Sequence, residues 1–122
     1  MNGVLGFAIT VGGRVRYLLW TGLIFMAACG DPRVAEILEL TGDVDAGETL
    51  YDDNCALCHG DDGLGDIGSD LTVRIPDMSD EEIVTTVLLG LSGTTMPSFA
   101  DLLDNQGVAD VVAYSKTGFD SE

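Results

Sequence analysis

The chain has 122 residues, with 21 Asp or Glu against five Lys or Arg, for a formal charge of −16 at neutral pH. All 21 acids follow Cys29 whereas only Arg33, Arg74 and Lys116 of the bases do, so that part carries −18. A field of that sign argues against nucleic acid or an anionic membrane surface as direct partner; it suits a basic docking surface, with association that weakens as salt rises, and equally suits plain solubility or life in a salty medium.

Two basic residues, Arg14 and Arg16, precede an apolar run over residues 17–28 that ends in Met26-Ala27-Ala28-Cys29. Basic residues, a short apolar stretch and small residues before a cleavage point describe a secretory signal. A bilayer-spanning helix needs about 20 apolar residues, more than this run holds. Small residues followed at once by Cys resemble the bacterial lipobox, with Met26 standing where that motif usually has Leu. Cys29 is then the expected site of lipidation and the first mature residue. An ordinary signal with an incidental Cys remains the alternative, as does an uncleaved anchor that borrows the apolar residues 4–11. Cleavage before Cys29 leaves 94 residues, one domain near the lower limit for a comfortable core.

Residues 31–41 are polar and acidic, with Val34, Ile37, Leu38 and Leu40 scattered through them. They read as a tether or as a short helical lead-in. Asp43 or Asp45 then caps a helix running into Asn54, with acids in its first turn. Gly47, Leu50, Tyr51 and Asn54 share one face of it, and a glycine there lets another backbone come close.

Next comes Cys55-Ala56-Leu57-Cys58-His59. A Cys-x-x-Cys pair also occurs in redox dithiols and zinc sites. Zinc needs further Cys or His ligands, and His59 is the single histidine of the chain. A redox dithiol belongs after a strand in a βαβ pattern, which is missing. The remaining reading is covalent attachment of a c-type haem, the two thiols adding to the porphyrin vinyl groups and His59 ligating the iron. A large apolar prosthetic group also supplies core to a chain this short. The expected division is therefore 1–28 signal peptide, 29–42 tether after the lipidated Cys, and 43–122 haem domain.

Four glycines between Gly60 and Gly68 rule out a regular element and mark a tight loop. Its acids and lack of Lys exclude a phosphate cradle, and it lacks the terminal Glu of a calcium-binding EF-hand. It reads as backbone wrapped closely around the histidine side of the ring. Ser79-Asp80-Glu81-Glu82 is a capping box that starts a helix carrying Ile83, Val84, Val87 and Leu88, with Met78 and Ile83 available as a staple and Gly90 as the stop. An irregular loop follows, holding Met96 before Pro97. A haem ligated by one histidine most often takes a Met sulfur on its far side. Met78 has a structural role open to it and Met26 lies in the export segment, so Met96 is the expected second ligand. A last amphipathic helix covers Asn105–Thr117, with Val108, Val111, Val112 and Tyr114 inward and Gly118 closing it.

From Thr41 to Phe119 the chain resembles class I cytochromes c, the small monohaem type. The landmarks are Gly47 with Tyr51, Cys55-Ala56-Leu57-Cys58-His59-Gly60, Thr95-Met96-Pro97-Ser98-Phe99 and Val111-Val112-Ala113-Tyr114. The resemblance implies an all-α fold of helices and Gly-rich loops around one covalent haem c. It also implies a crossing of the first and last helices that brings Gly47 and Tyr51 to Tyr114. The family tends to place a proline about ten residues after the histidine, its carbonyl accepting from the ring N–H. Here Ser69-Asp70-Leu71 stand in that place, yet a hydrogen bond orienting His59 is still expected. No tryptophan follows Cys29 to serve as a propionate partner. With His59 and Met96 both bound, the iron keeps no open position for a small-molecule substrate. The expected function is that of a one-electron carrier of the periplasm or cell envelope, tethered to the membrane by lipid, and not an enzyme. The alternative is a fixed electron-entry subunit of a respiratory or dehydrogenase complex.

Overall fold

A computed structural model describes residues 30–120, and all regular elements among them are helical. Helix α1 covers Pro32–Leu38, α2 Val44–Asn54, α3 Ala56–His59 and α4 Leu71–Arg74, which runs into a 3-10 turn at Ile75–Asp77. Helix α5 covers Asp80–Leu89 and α6 Asn105–Thr117, followed by a 3-10 turn at Gly118–Asp120. No helix of the described residues is long and apolar enough to cross a membrane. The signal segment and Cys29 lie outside the described residues.

The frame is the contact of α2 with α6. A Cβ added at Gly47 would lie 2.0 Å from the Asp110 carbonyl oxygen and 2.9 Å from the Tyr114 Cβ, so only hydrogen fits between the two helices. Asp43 caps α2, its side chain accepting from the N–H groups of Asp45 and Ala46. Its own N–H donates to the buried carboxylate of Asp110 at 2.8 Å, and the same oxygen accepts from the Gln106 amide. A buried carboxylate needs such donors to offset its lost hydration. Beside this crossing the rings of Tyr51 and Tyr114 meet at 5.2 Å, as the resemblance implies. Phe119 joins them edge-on, at 5.3 Å from Tyr51 and 5.5 Å from Tyr114.

Helix α5 starts at the expected capping box: the Ser79 N–H donates to Glu82 Oε2 at 2.8 Å, and the Glu82 N–H to Ser79 Oγ at 3.3 Å. The Ser79 N–H and, secondly, its hydroxyl, which also donates to Glu82 Oε2, hold that carboxyl below its ordinary range. The helix stops at Gly90, whose φ of 70° is left-handed. Ile83, Val84 and Leu88 of α5 join Val108, Val111 and Val112 of α6 in the core.

Of the two readings of residues 31–41, the helix is what forms. Asp31 caps α1, accepting from the Arg33 N–H at 2.9 Å, and Pro32 occupies the first turn, where its missing donor costs nothing. Val34 and Ile37 are buried in the core against α5 and α6. Two apolar residues one turn apart gain from that burial, and it docks this helix within the segment 29–42. This docked helix lies N-terminal to the expected domain boundary at 43.

Candidate haem site

The Cys55–His59 turn is built directly on the end of α2. The Cys55 N–H donates to the Tyr51 carbonyl at 2.7 Å, and the His59 N–H to the Cys55 carbonyl at 3.0 Å. This turn of α3 sets Cys55 and His59 four residues apart on one face. Both line a largely apolar cleft together with Tyr51, Leu71, Ile75, Met78, Ile83, Val87, Met96 and Val111. Cys58 is half-buried in the same turn and does not line the cleft.

Burial, and secondarily the neighbouring Cys58, pushes the Cys55 thiol up to about 11. Catalytic dithiols do the opposite, holding one thiol as a low-pKa thiolate. Among the described residues no three His, Cys, Asp or Glu converge as metal ligands.

The glycine loop fixes the imidazole. Gly65 N–H donates to the His59 carbonyl at 2.7 Å, and the N–H groups of Asp66 and Gly68 donate to the Cys58 carbonyl at 3.2 and 2.6 Å. Gly60, Gly63 and Gly65 all have positive φ, which an L side chain would strain. Gly68 lies flat against the ring: a Cβ there would come within 2.7 Å of His59 Cε1. The fold thereby brings the Ser69 carbonyl 2.8 Å from His59 Nδ1. This is the orienting bond expected at a spacing of ten residues, made by a serine carbonyl where the resembling proteins tend to use proline.

Two braces hold that loop from outside. The Tyr51 hydroxyl donates to the Gly60 carbonyl at 2.8 Å, and burial pushes its pKa far above the ordinary phenol range. The Phe119 ring covers Gly63, where a Cβ would sit 2.7 Å from it. Tyr51→Phe should cost about 1 kcal/mol, the net worth of one such bond, seen as a lower midpoint in denaturant. An unchanged midpoint would deny the bond any bracing role.

Met96 and Met78 both line the cleft, and their surroundings separate them. Met78 packs on the apolar core cluster, as filler does. Met96 belongs to an otherwise exposed loop and is only half-buried. The loop is pinned on α5: Phe99 N–H donates to the Val87 carbonyl at 3.1 Å, and Leu91 N–H to the Met96 carbonyl at 3.3 Å. A Cβ at Gly90 would lie 2.7 Å from the Met96 oxygen, so this glycine serves both as helix stop and as the seat of the Met-Pro turn. Sequence reasoning identified Gly90 for the first role only. It missed α4 with cleft-lining Leu71 and the 3-10 turn with cleft-lining Ile75, whose short run carries no periodic signal.

Apolar walls, an imidazole with one free nitrogen, a thioether and two adjacent thiols define a c-type haem protein. Residues 42–114 match the family model described as cytochrome c oxidase, cbb3-type, subunit III, and the chain belongs to this family of c-type cytochromes. It is 33% identical over 107 residues to a cytochrome c-553-like protein of Synechocystis, covering 88% of this chain and 99% of that one. It is 29% identical over 77 residues to the cbb3-type oxidase subunit CcoP of Azospirillum brasilense, covering 56% of this chain but 26% of that one. In structure it resembles cytochrome cL of Methylophaga aminisulfidivorans, with a TM-score of 0.58 at 21% identity over 93% of this chain and 81% of that one. Cytochrome cL of Hyphomicrobium denitrificans gives 0.54 at 23% identity, covering 68% and 48%. At those identities the likeness shows the all-α cytochrome fold alone, and the chain spans only about half of the latter structure. The protein carries electrons through one covalently bound c-type haem, is not itself an enzyme, and has redox proteins for partners.

Proposed function

We propose that Cys55 and Cys58 hold the haem through thioether bonds and that His59 and Met96 take the two axial positions of its iron. The meeting of His59 and Met96 on one largely apolar cleft carries this reading. The Ser69 carbonyl can only accept, so His59 Nδ1 keeps the proton and Nε2 keeps its lone pair for the metal. The haem, when bound, supplies a one-electron iron couple. The carbonyl partner fixes the orientation of His59, and the Met96 sulfur favours the reduced state. Ile75, Ile83, Val87 and Val111 exclude water from the cleft walls. Rigid seats at Gly68 and Gly90 keep both side chains in place whichever state the centre is in, so little reorganisation accompanies electron exchange.

The carrier works in the cell envelope, lipidated at Cys29 and tethered to the membrane. The signal-like segment and its Met26-Ala27-Ala28-Cys29 ending support this. Leu57 is 82% exposed, Ile67 68% and Leu64 57%, on the haem motif and the loop folded against it, with Asp61, Asp62 and Asp66 among them. An apolar patch edged by acids suits a partner whose docking face is basic around an apolar centre. The match to an oxidase subunit supports a second reading, a fixed electron-entry subunit of a larger complex. Stable co-purification with such a complex would select it over the free carrier.

Attachment is tested on denatured protein. Wild type should keep its haem through a denaturing gel, and Cys55→Ala/Cys58→Ala should lose it entirely. Haem that leaves the wild type on denaturation would sink the proposal.

A further inference from the structure

We propose that Arg33 is a positioning residue for the Met96 side of the site, bracing the chain segment that runs from Met96 to α6. The inference rests on the reading of Met96 as an axial ligand. Arg33 sits on α1, N-terminal to the residues matched by the family model. Its half-buried guanidinium spends its donors on one short segment. Nη1 donates to the Ala100 carbonyl at 2.8 Å, Nη2 to the Leu103 carbonyl at 3.0 Å, and Nε to Asn105 Oδ1 at 2.7 Å. Asn105 in turn donates to Glu36 Oε2 at 2.9 Å, so α1 grips the segment with two side chains three residues apart.

In a chain with 21 acids an arginine on the surface would be expected to face a carboxylate. This one faces two backbone carbonyls and an amide instead, a planar fork matched to a fixed backbone shape. The segment it holds begins four residues after Met96. Upstream, the same loop is pinned on α5 through Phe99 and Gly90, while residues 91–95 are exposed. The Met96 loop is therefore fixed at two places, and Arg33 supplies the downstream one. Helix α1 is itself held by buried Val34 and Ile37, which makes it a rigid base for the brace.

Bracing acts by lowering the population in which Met96 has left the site. Added imidazole competes with Met96 for the iron, and its apparent affinity scales with that open fraction. In the oxidised, haem-loaded full chain, Arg33→Ala should raise imidazole affinity about tenfold to a hundredfold, the loss of charged hydrogen bonds to groups that then stay unpaired. Arg33→Lys, which keeps the charge without the fork, should fall between, and Asn105→Ala should change it a few-fold. A purely structural role for Arg33 lowers the thermal midpoint and leaves imidazole affinity at room temperature unchanged. Unchanged affinity in Arg33→Ala overturns the proposal; if that variant fails to accumulate loaded protein, unchanged affinity in Arg33→Lys and Asn105→Ala does so. Loss of the premise looks different. A wild type that lacks the far-red methionine–iron charge-transfer band, or a Met96→Ala variant that keeps it, removes the ligand assignment and the brace with it.

Discussion

Met96→Ala is expected to abolish the far-red charge-transfer band of the oxidised protein and to lower its reduction potential on the order of 0.1 V or more, within the roughly 0.8 V over which axial ligands tune haem. A thioether is a soft, neutral ligand that favours the reduced iron, and water in its place favours the oxidised form. The overall fold should survive, because Met96 contributes little to the core: the buried cluster comprises Val34, Ile37, Ile83, Val84, Leu88, Leu103 and the α6 valines, with Met78 packed on it. The control follows from the same division. Met78→Leu, nearly volume-conserving at a packed position, should cost under about 1.5 kcal/mol and leave the band intact. A band that disappears in Met78→Leu and persists in Met96→Ala would exchange the two assignments.

The second large effect is expected at the helix crossing. Gly47→Ala should destabilise the protein by about 3 kcal/mol or more, at the upper end for overpacked sites. The clash is with backbone: the Asp110 carbonyl oxygen 2.0 Å and its carbon 2.6 Å from the new atom, so no side-chain rotation relieves it. Helices α2 and α6 must separate, and the consequences spread. The bond from Asp43 N–H to the buried Asp110 carboxylate stretches, and the Tyr51–Tyr114 ring contact opens. Tyr51 then loses its purchase on Gly60, which leads straight to the haem motif. For a domain of this size the thermal midpoint should fall by roughly 15 °C, read by circular dichroism. Gly93→Ala serves as the comparison, since a Cβ there meets nothing within 4 Å and the cost is left-handed strain alone, about 1–2 kcal/mol. Equal losses at the two glycines would mean that the crossing is looser than described.

How much of this was legible in the sequence depended on whether the signal was local. Asp43, Ser79 with Glu82, and Gly90 announce helix ends within four residues of themselves, and α2 and α5 lie where those signals put them. The Cys55–His59 motif is equally local. Helix α1 was ambiguous because seven residues hold only two inward positions, and what makes them helical is the distant surface of α5 and α6. The three acceptors of Arg33 lie 67 to 72 residues away, beyond any local reading. The His59 acceptor was an intermediate case. The spacing of ten residues survived, while the side chain used to recognise it did not, because the accepting atom belongs to the backbone.

That last point bears on how such a protein can change over generations. The atom that orients the His59 imidazole is supplied by the main chain at position 69, so the side chain there is free to drift without altering it. The burden of inheritance falls one residue earlier, on Gly68, where a single methyl would strike the ring. A mutational survey of the loop should thus find tolerance at the residue that makes the bond and intolerance at the neighbour that makes no bond to His59.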